Sequence, residues 1–441
     1  MAVSGRFVLL VFLGIIPVLG FSLLGGAGAW ALLGWLLLCV GFGLLDLAAA
    51  ASPRRVAVTR ELPARVRLGE TVPVRLLVAN TGSRTLRGIV RDGWQPSAGA
   101  APSRLPFTVP AGERRAGSLV LTPFRRGERR TEQVTVRSAG PLGLWARQAT
   151  LRVPAAIRVL PPFNSRKHLP SRLARLRELD GRTSVQLRGQ GTEFDSLREY
   201  VRGDDVRSID WRATARHGGA RPGQQVMVRT WRPERDRRVV IVLDTGRTSA
   251  ARIQDEPRLD TAFEASLLLE ALATRAGDRV DLLAYDRRVR ARVAGATGAD
   301  LLAKTVDALA LVEPDLIETD WQAIPAQVRA VTTQRSLVVL LTSLDSPGAA
   351  RGLLSVLGQL TADHLVVVAS VTDPDVLSAT GDRGDRAAVY RAAAAERALL
   401  DGARLAAAVR RLGADVVTGA PADLPPALAD RYLELKAAGR L

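Results

Sequence analysis

The sequence predicts a chain of class α/β in three folded parts: an apolar helical hairpin at the N-terminus, an antiparallel β-sandwich, and a C-terminal domain on an open, largely parallel sheet. Three observations carry this. From Phe7 to Leu45, 39 consecutive residues bear no charge. Between residues 56 and 160, short runs of Val, Leu and Thr are separated by Gly, Pro and Asn, and from Val239 onward apolar runs of strand length alternate with amphipathic runs of helix length. A chain of 441 residues has room for two or three domains of about 100 to 200 residues each.

The uncharged run is about twice the ~20 residues that cross a bilayer as one helix. Gly25, Gly26 and Gly28 sit at its midpoint, where a tight turn wants residues without a Cβ. The expectation is two spans, Phe7–Leu24 and Ala27–Leu45, within a membrane part covering residues 1–53. Arg6 precedes the first span and Arg54 and Arg55 follow the second, while the turn is uncharged. By the positive-inside rule both ends are cytoplasmic, which predicts a multi-pass inner-membrane protein with cytoplasmic soluble domains. A cleaved signal peptide is the competing reading, with Ala48–Ala51 as its cleavage site, but an apolar signal core runs only ~7–15 residues.

Charge is distributed unevenly. Residues 54–160 hold 20 basic against 6 acidic side chains, a net +14; residues 161–238 hold 18 against 10, a net +8; residues 239–441 hold 23 against 27, a net −4. The basic part follows directly on the hairpin, and attraction to anionic lipid at the inner leaflet, about 1 kcal/mol per nearby Lys or Arg, accounts for that placement. Nucleic acid is not expected as a partner: aromatic residues are 5% of the chain, and no nucleic-acid motif occurs.

Residues 54–160 read as an immunoglobulin-like sandwich. Thr71–Val78 followed by Asn80-Thr81-Gly82 is a strand entering a turn, and the pattern repeats at sandwich spacing. Nothing there gathers as a catalytic set. Pro161-Pro162 marks a boundary.

In the C-terminal domain, residues 239–441, the predicted strands are Val239–Leu243, Val280–Tyr285, Leu337–Leu341, Leu365–Ser370 and Asp415–Val417. The predicted helices are Thr261–Ala276, Asp300–Leu309, Trp321–Val331, Gly348–Leu360 and Ala393–Leu412. Alternation of this kind builds an α/β sheet. Such sheets bind ligands beyond the carboxyl ends of their strands, where the strand order reverses, so the end of the first strand is the place to look.

There the chain reads Leu243-Asp244-Thr245-Gly246-Arg247-Thr248. Asp and Thr oxygens suit a hard divalent cation. The segment resembles the start of the metal-ion-dependent adhesion site of von Willebrand factor A domains, whose pattern is Asp-x-Ser-x-Ser, a distant Thr, and an Asp after a later strand. The resemblance implies a von Willebrand A-like (Rossmann-like) domain and a Mg2+ held by Asp244, Thr248 and Thr319. Two positions depart: Gly246 replaces the first Ser, and Ser343 stands where the last Asp is expected. The other reading of Asp244 is a loop residue capping backbone amides.

Residues 161–238 hold the densest motif, Gly191-Thr192-Glu193-Phe194, then Leu197-Arg198-Glu199-Tyr200, Gly203-Asp204-Asp205-Val206-Arg207 and Ile209-Asp210-Trp211-Arg212, ending at Arg216. This resembles the signature of the bacterial domain of unknown function 58 family, whose layout also matches in the order hairpin, β-domain, signature and von Willebrand A-like domain. Interleaved acids, arginines and aromatics suit a partly buried ion-pair network that docks the segment onto the α/β domain. A partner-docking surface is the alternative.

Several function classes are excluded or disfavoured. The single Cys39 leaves no disulfide framework or CxxC pair. His168, His217 and His364 match no metal spacing, and no Walker A motif occurs. Arginines beside Glu193, Asp204, Asp205 and Asp210 favour salt bridging over acid-base catalysis. The expectation is therefore a non-enzymatic membrane protein without a certain cofactor. Members of the resembled family are often encoded beside MoxR-type AAA+ ATPases, which implies an adaptor that presents a protein client to such an ATPase. A structural or assembly factor of the cell envelope is the alternative.

Overall fold

A computed structural model describes residues 1–23, 28–183, 193–201, 206–217, 226–232 and 237–441, without the side chains of 180–183, 193–196, 217 and 230–232. The chain divides into two compact units, Met1–Pro162 and Phe163–Leu441.

In the first unit a short strand β1 (Ala2–Val3) leads into helices α1 (Gly5–Leu13), α2 (Ile15–Leu23) and α3 (Gly28–Ala49). The first expected span is thus two helices that meet at Gly14. Pro17 explains the break, because it cannot donate the hydrogen bond that would continue the helix across residue 13. Gly14 also lets the Trp35 ring lie against the backbone, where a Cβ would meet it at 2.2 Å. Two segments, Gly5–Leu23 and Gly28–Arg55, are long and apolar enough to cross a membrane, and Phe12, Ile16 and Leu37 point outward from them.

The sandwich strands are β2 (Val56–Glu61), β3 (Arg65–Arg67), β4 (Val72–Asn80), β5 (Leu86–Trp94), β6 (Ala100–Ala101), β7 (Arg104–Val109), β8 (Arg114–Leu121), β9 (Gly127–Ala139) and β10 (Trp145–Leu160). One sheet has the order β1-β10-β9-β5-β7 with β3 beside β10, and the other has the order β2-β4-β8-β6. Alternating inward residues such as Val74, Leu76 and Val78 of β4 and Val134 and Val136 of β9 make the core. One buried ion pair links the sheets: the Arg60 guanidinium donates to both oxygens of Asp92, at 3.0 and 2.7 Å, and Trp94 Nε1 donates to the same carboxylate at 2.9 Å. The planar fork of arginine makes this two-point contact possible.

Asp46, near the end of α3, ties the hairpin to the sandwich. Its carboxylate is 1% exposed and accepts the backbone N–H groups of Leu142 (2.7 Å), Leu144 (2.7 Å) and Trp145 (3.0 Å), all in or beside the β9–β10 turn. Gly140 permits this approach, since a Cβ there would meet Asp46 Oδ1 at 2.1 Å. Arg147 Nε donates to the Leu47 carbonyl at 2.9 Å, capping the helix end.

The second unit opens with α4 (Leu169–Thr183), a hairpin of β11 (Glu193–Glu199) and β12 (Met227–Arg232), and α5 (Trp211–His217). Then come β13 (Arg238–Asp244), β14 (Arg252–Ile253), β15 (Glu256–Pro257), α6 (Arg258–Arg275), β16 (Arg279–Tyr285), β17 (Val289–Val293), α7 (Gly298–Ala310), α8 (Ile324–Arg329), β18 (Leu337–Leu341) and α9 (Pro347–Asp363). The chain ends with β19 (Leu365–Val371), α10 (Pro374–Ala379), α11 (Arg386–Arg411), β20 (Asp415–Gly419) and α12 (Leu424–Ala437).

The main sheet has the order β17-β16-β13-β18-β19-β20. All neighbours are parallel except β17, which returns antiparallel beside β16 at the edge. Helices cover both faces. Val239, Ile241 and Leu243 of β13 pack with α6, α7 and α12, while Val240 and Val242 pack with α8, α9 and α11. Strands buried on both sides are apolar at every position for this reason. The sequence reading missed β17, whose Val-Arg-Ala-Arg-Val alternation belongs to a half-exposed edge strand, and it also missed α4 and α12. Residues 163–179 pack on the α/β core: the Glu264 carboxylate accepts the backbone N–H groups of Asn164 and Ser165 at 2.7 and 2.9 Å, and Leu176 joins the core.

Candidate functional site

Asp244 is the last residue of β13, and β13 lies between β16 and β18, where the strand order reverses. In open α/β sheets the crevice beyond the strand ends forms at this position. Asp244 is 4% exposed, and its crevice is lined by Thr248, Thr319, Thr342 and Ser343 among others.

The carboxylate is ringed by donors. Oδ1 accepts the Gly246 N–H at 2.8 Å and the Thr319 hydroxyl at 2.5 Å; Oδ2 accepts the Thr342 hydroxyl at 2.6 Å and the Thr248 hydroxyl at 3.4 Å. The Ser249 hydroxyl donates to the Asp244 carbonyl at 2.7 Å and fixes the turn. The structure thus brings Asp244, Thr248 and Thr319 together. It adds Thr342, which the sequence reading passed over for Ser343; Thr342 directly follows β18 and so lies nearest the end of β13.

Gly246, the departure from the resembled motif, has a steric cause. A Cβ at 246 would meet Thr319 Oγ1 at 2.3 Å, the Ile317 carbonyl at 2.9 Å and Asp244 Oδ1 at 3.1 Å. The hydroxyl of Thr319 fills the space that a serine at 246 would need.

Two neighbouring carboxylates are turned away from this ring. Asp286, after β16, is fully buried and paired with Arg290 Nε at 2.5 Å, and it accepts the Thr245 hydroxyl at 3.0 Å and the backbone N–H groups of Arg287 and Arg288. Burial pushes its pKa up, and these donors outweigh burial and hold it below the usual carboxylate range. Asp345, after β18, pairs with Arg258. Among the described residues no group of three or more His, Cys, Asp or Glu side chains gathers as a metal site. The ring at Asp244 therefore offers hard oxygens but one negative charge. That donor set fits a cation of the Mg2+ kind, which keeps several waters and takes one or two carboxylates.

Of the signature residues, Gly191, Gly203, Asp204 and Asp205 lie outside the described residues, as do the side chains of Glu193 and Phe194. Arg198 Nη1 donates to the Glu199 carbonyl at 3.0 Å, and the Tyr200 N–H donates to the Val226 carbonyl at 2.7 Å. Asp210 starts α5: it accepts the N–H groups of Arg212 (2.9 Å) and Ala213 (3.0 Å) and pairs with Arg229 Nε at 2.8 Å. The Ala213 N–H and the Arg229 guanidinium hold its carboxyl below the ordinary range. Trp211 is 67% exposed, and Arg207, Arg212 and Arg216 are exposed too. Asp210 thus divides its oxygens between helix capping and an arginine outside the signature.

Residues 196–381 match the family model described as protein of unknown function DUF58. The match supports that family for this chain, and it spans the signature from Ser196 onward as well as the ends of β13 and β18. A comparison with curated proteins gives no match. Among solved structures the chain is similar to a CARDB domain from Pyrococcus furiosus, at 15% identity and a TM-score of 0.18 over 24% of this chain and 91% of that one. A human ASH/PapD-like domain is similar at 13% identity and a TM-score of 0.17 over 24% of this chain and 84% of that one. A β-glucosidase from Listeria innocua is similar at 16% identity and a TM-score of 0.15 over 22% of this chain and 16% of that one. Scores of this size carry no argument about fold or function.

Proposed function

We propose that this is a membrane-anchored, non-enzymatic interaction protein, with its soluble units on the cytoplasmic side of the inner membrane, and that its α/β unit is a von Willebrand A-like adaptor. The parallel sheet with one antiparallel edge strand, and an aspartate at the end of a central strand, support the fold reading. The observation that carries the functional reading is the hydroxyl-ringed Asp244 in a crevice at the point of strand reversal. A single carboxylate with neutral hydroxyls suits recognition, with a partner carboxylate meeting the ring through a bound cation. If Mg2+ is that cation, Asp244, Thr248, Thr319 and Thr342 hold it, and water fills the rest of its shell.

The partner proposed is a MoxR-type AAA+ ATPase, to which the protein presents a client at the membrane. Affinity capture of the full chain from its native membranes tests this. The expected result is recovery of the ATPase with the unaltered chain and its loss with Asp244→Ala. Unchanged recovery would remove Asp244 from the docking role, and no ATPase in either sample would remove the partner. A second reading, an envelope assembly factor needing neither ATPase nor metal, draws on one observation: both Asp244 oxygens already accept hydrogen bonds from within the chain.

A further inference from the structure

At the other end of the same sheet, where β13, β18 and β19 begin, a cavity of about 620 Å3 is lined by Arg237, Arg238, Arg335 and Arg440, with Leu337 and Leu365 also in its wall. This volume lies within the roughly 300–1,000 Å3 of small-molecule pockets. Its charges divide into those already engaged and those that are not.

Arg238 is engaged: Nη1 donates to the Val331 carbonyl at 2.6 Å, and Nε lies 3.5 Å from Asp281. Asp278, an acid in the wall, is also engaged. Its two oxygens accept from the Tyr432 hydroxyl at 2.5 Å and from Lys436 Nζ at 2.9 Å, and Lys436 offsets its charge. Among the described residues, the guanidinium groups of Arg237, Arg335 and Arg440 have no ion-pair partner, and Nε of Arg237 is buried without a hydrogen-bond acceptor. Buried donors are nearly always satisfied, and an oxyanion entering the cavity would give this one an acceptor. The C-terminus of α12, beside Arg440, adds partial negative charge, so attraction for an anion comes from the guanidinium groups alone.

We propose that this cavity binds a phosphate-bearing small molecule, with Arg237, Arg335 and Arg440 taking its oxyanion. Guanidinium forks match phosphate oxygens in paired hydrogen bonds, and three guanidinium groups without an ion-pair partner among the described residues, gathered around one space, suit an anion of more than one charge. This inference does not depend on the role proposed for Asp244.

Titration calorimetry of the full chain with inorganic pyrophosphate, at physiological salt, tests it. Arg335→Gln and Arg440→Gln alter exposed side chains and leave the core intact, which equal melting temperatures would verify. Arg91→Gln, on the exposed face of the sandwich, controls for general charge. The expected result is saturable binding, weakened at least about tenfold by either cavity variant and unchanged by Arg91→Gln. No binding, equal binding by the cavity variants, or equal weakening by Arg91→Gln would each overturn the proposal.

Discussion

Asp46 and Asp244 are both almost wholly buried, yet they are satisfied in different ways. Asp46 accepts three backbone N–H groups, whereas Asp244 accepts one backbone N–H and three threonine hydroxyls. A backbone amide can only donate, and its direction is set by the fold. A hydroxyl can turn, donate elsewhere, and offer its lone pairs to a cation or to water. The same side chain therefore acts as a fixed tie in one unit and as the centre of an adaptable ring in the other. Glu270 of α6 extends the comparison to a carboxylate almost without donors: it is fully buried, and among the described residues the Thr305 hydroxyl is the donor near it.

The sharpest test replaces each aspartate by asparagine. At Asp46 the new NH2 group would face backbone donors, leaving buried amides unsatisfied at about 1–3 kcal/mol each. We expect Asp46→Asn to destabilise the first unit by about 3 kcal/mol or more. At Asp244 the threonine hydroxyls can reverse and accept from the new amide, so Asp244→Asn should cost about 1 kcal/mol. Thermal unfolding of the two variants in the same detergent measures both, and equal losses would break the comparison.

Glu270 gives the next largest effect. Burial, opposed only by the nearby Thr305 hydroxyl, raises its pKa from 4.5 to about 7. The folded state then keeps this proton up to about pH 7, while the unfolded chain releases it near the ordinary value. The group's contribution to stability is thus complete below pH 4.5 and is lost as pH rises through 7. Glu270→Gln carries no charge to bury, so it should escape a loss of about 2–3 kcal/mol that the unaltered chain suffers between pH 4.5 and 8. Parallel unfolding-against-pH curves for the two proteins would contradict this.

Gly246 gives a smaller effect than Glu270. Gly246→Ser should displace Thr319 and cost about 1–2 kcal/mol, and a second change, Thr319→Gly, should recover part of that loss by vacating the contested space. A double variant no better than the single one would show that Thr319 does not occupy the space of a side chain at 246.

Much of this was legible in the sequence where the signal is local. Leu337–Leu341 has the bounds its apolar run announces, and Asp244 stands out as the first charge after such a run. The uncharged stretch announces the hairpin in the same way, although the break at Gly14 depends on Pro17 and on the placement of Trp35. Donors distant along the chain are what sequence could not supply. Asp46 reads only as the end of an apolar run, because its three partners lie 96 to 99 residues away. Thr342 was passed over for its neighbour because a motif template counts positions, whereas the structure counts distance from the end of β18.

Strand β13 also acts as a spacer. It has seven residues, Arg238 to Asp244, and spans about 20 Å at ~3.3 Å per residue. The arginine cavity lies at one end and the threonine ring at the other. Hydrogen bonds to β16 and β18 along both edges prevent it from sliding lengthwise without its neighbours. Occupants of the two ends would never touch, and over such a separation their effects on stability should simply add. The sheet is a partition with a port on each side.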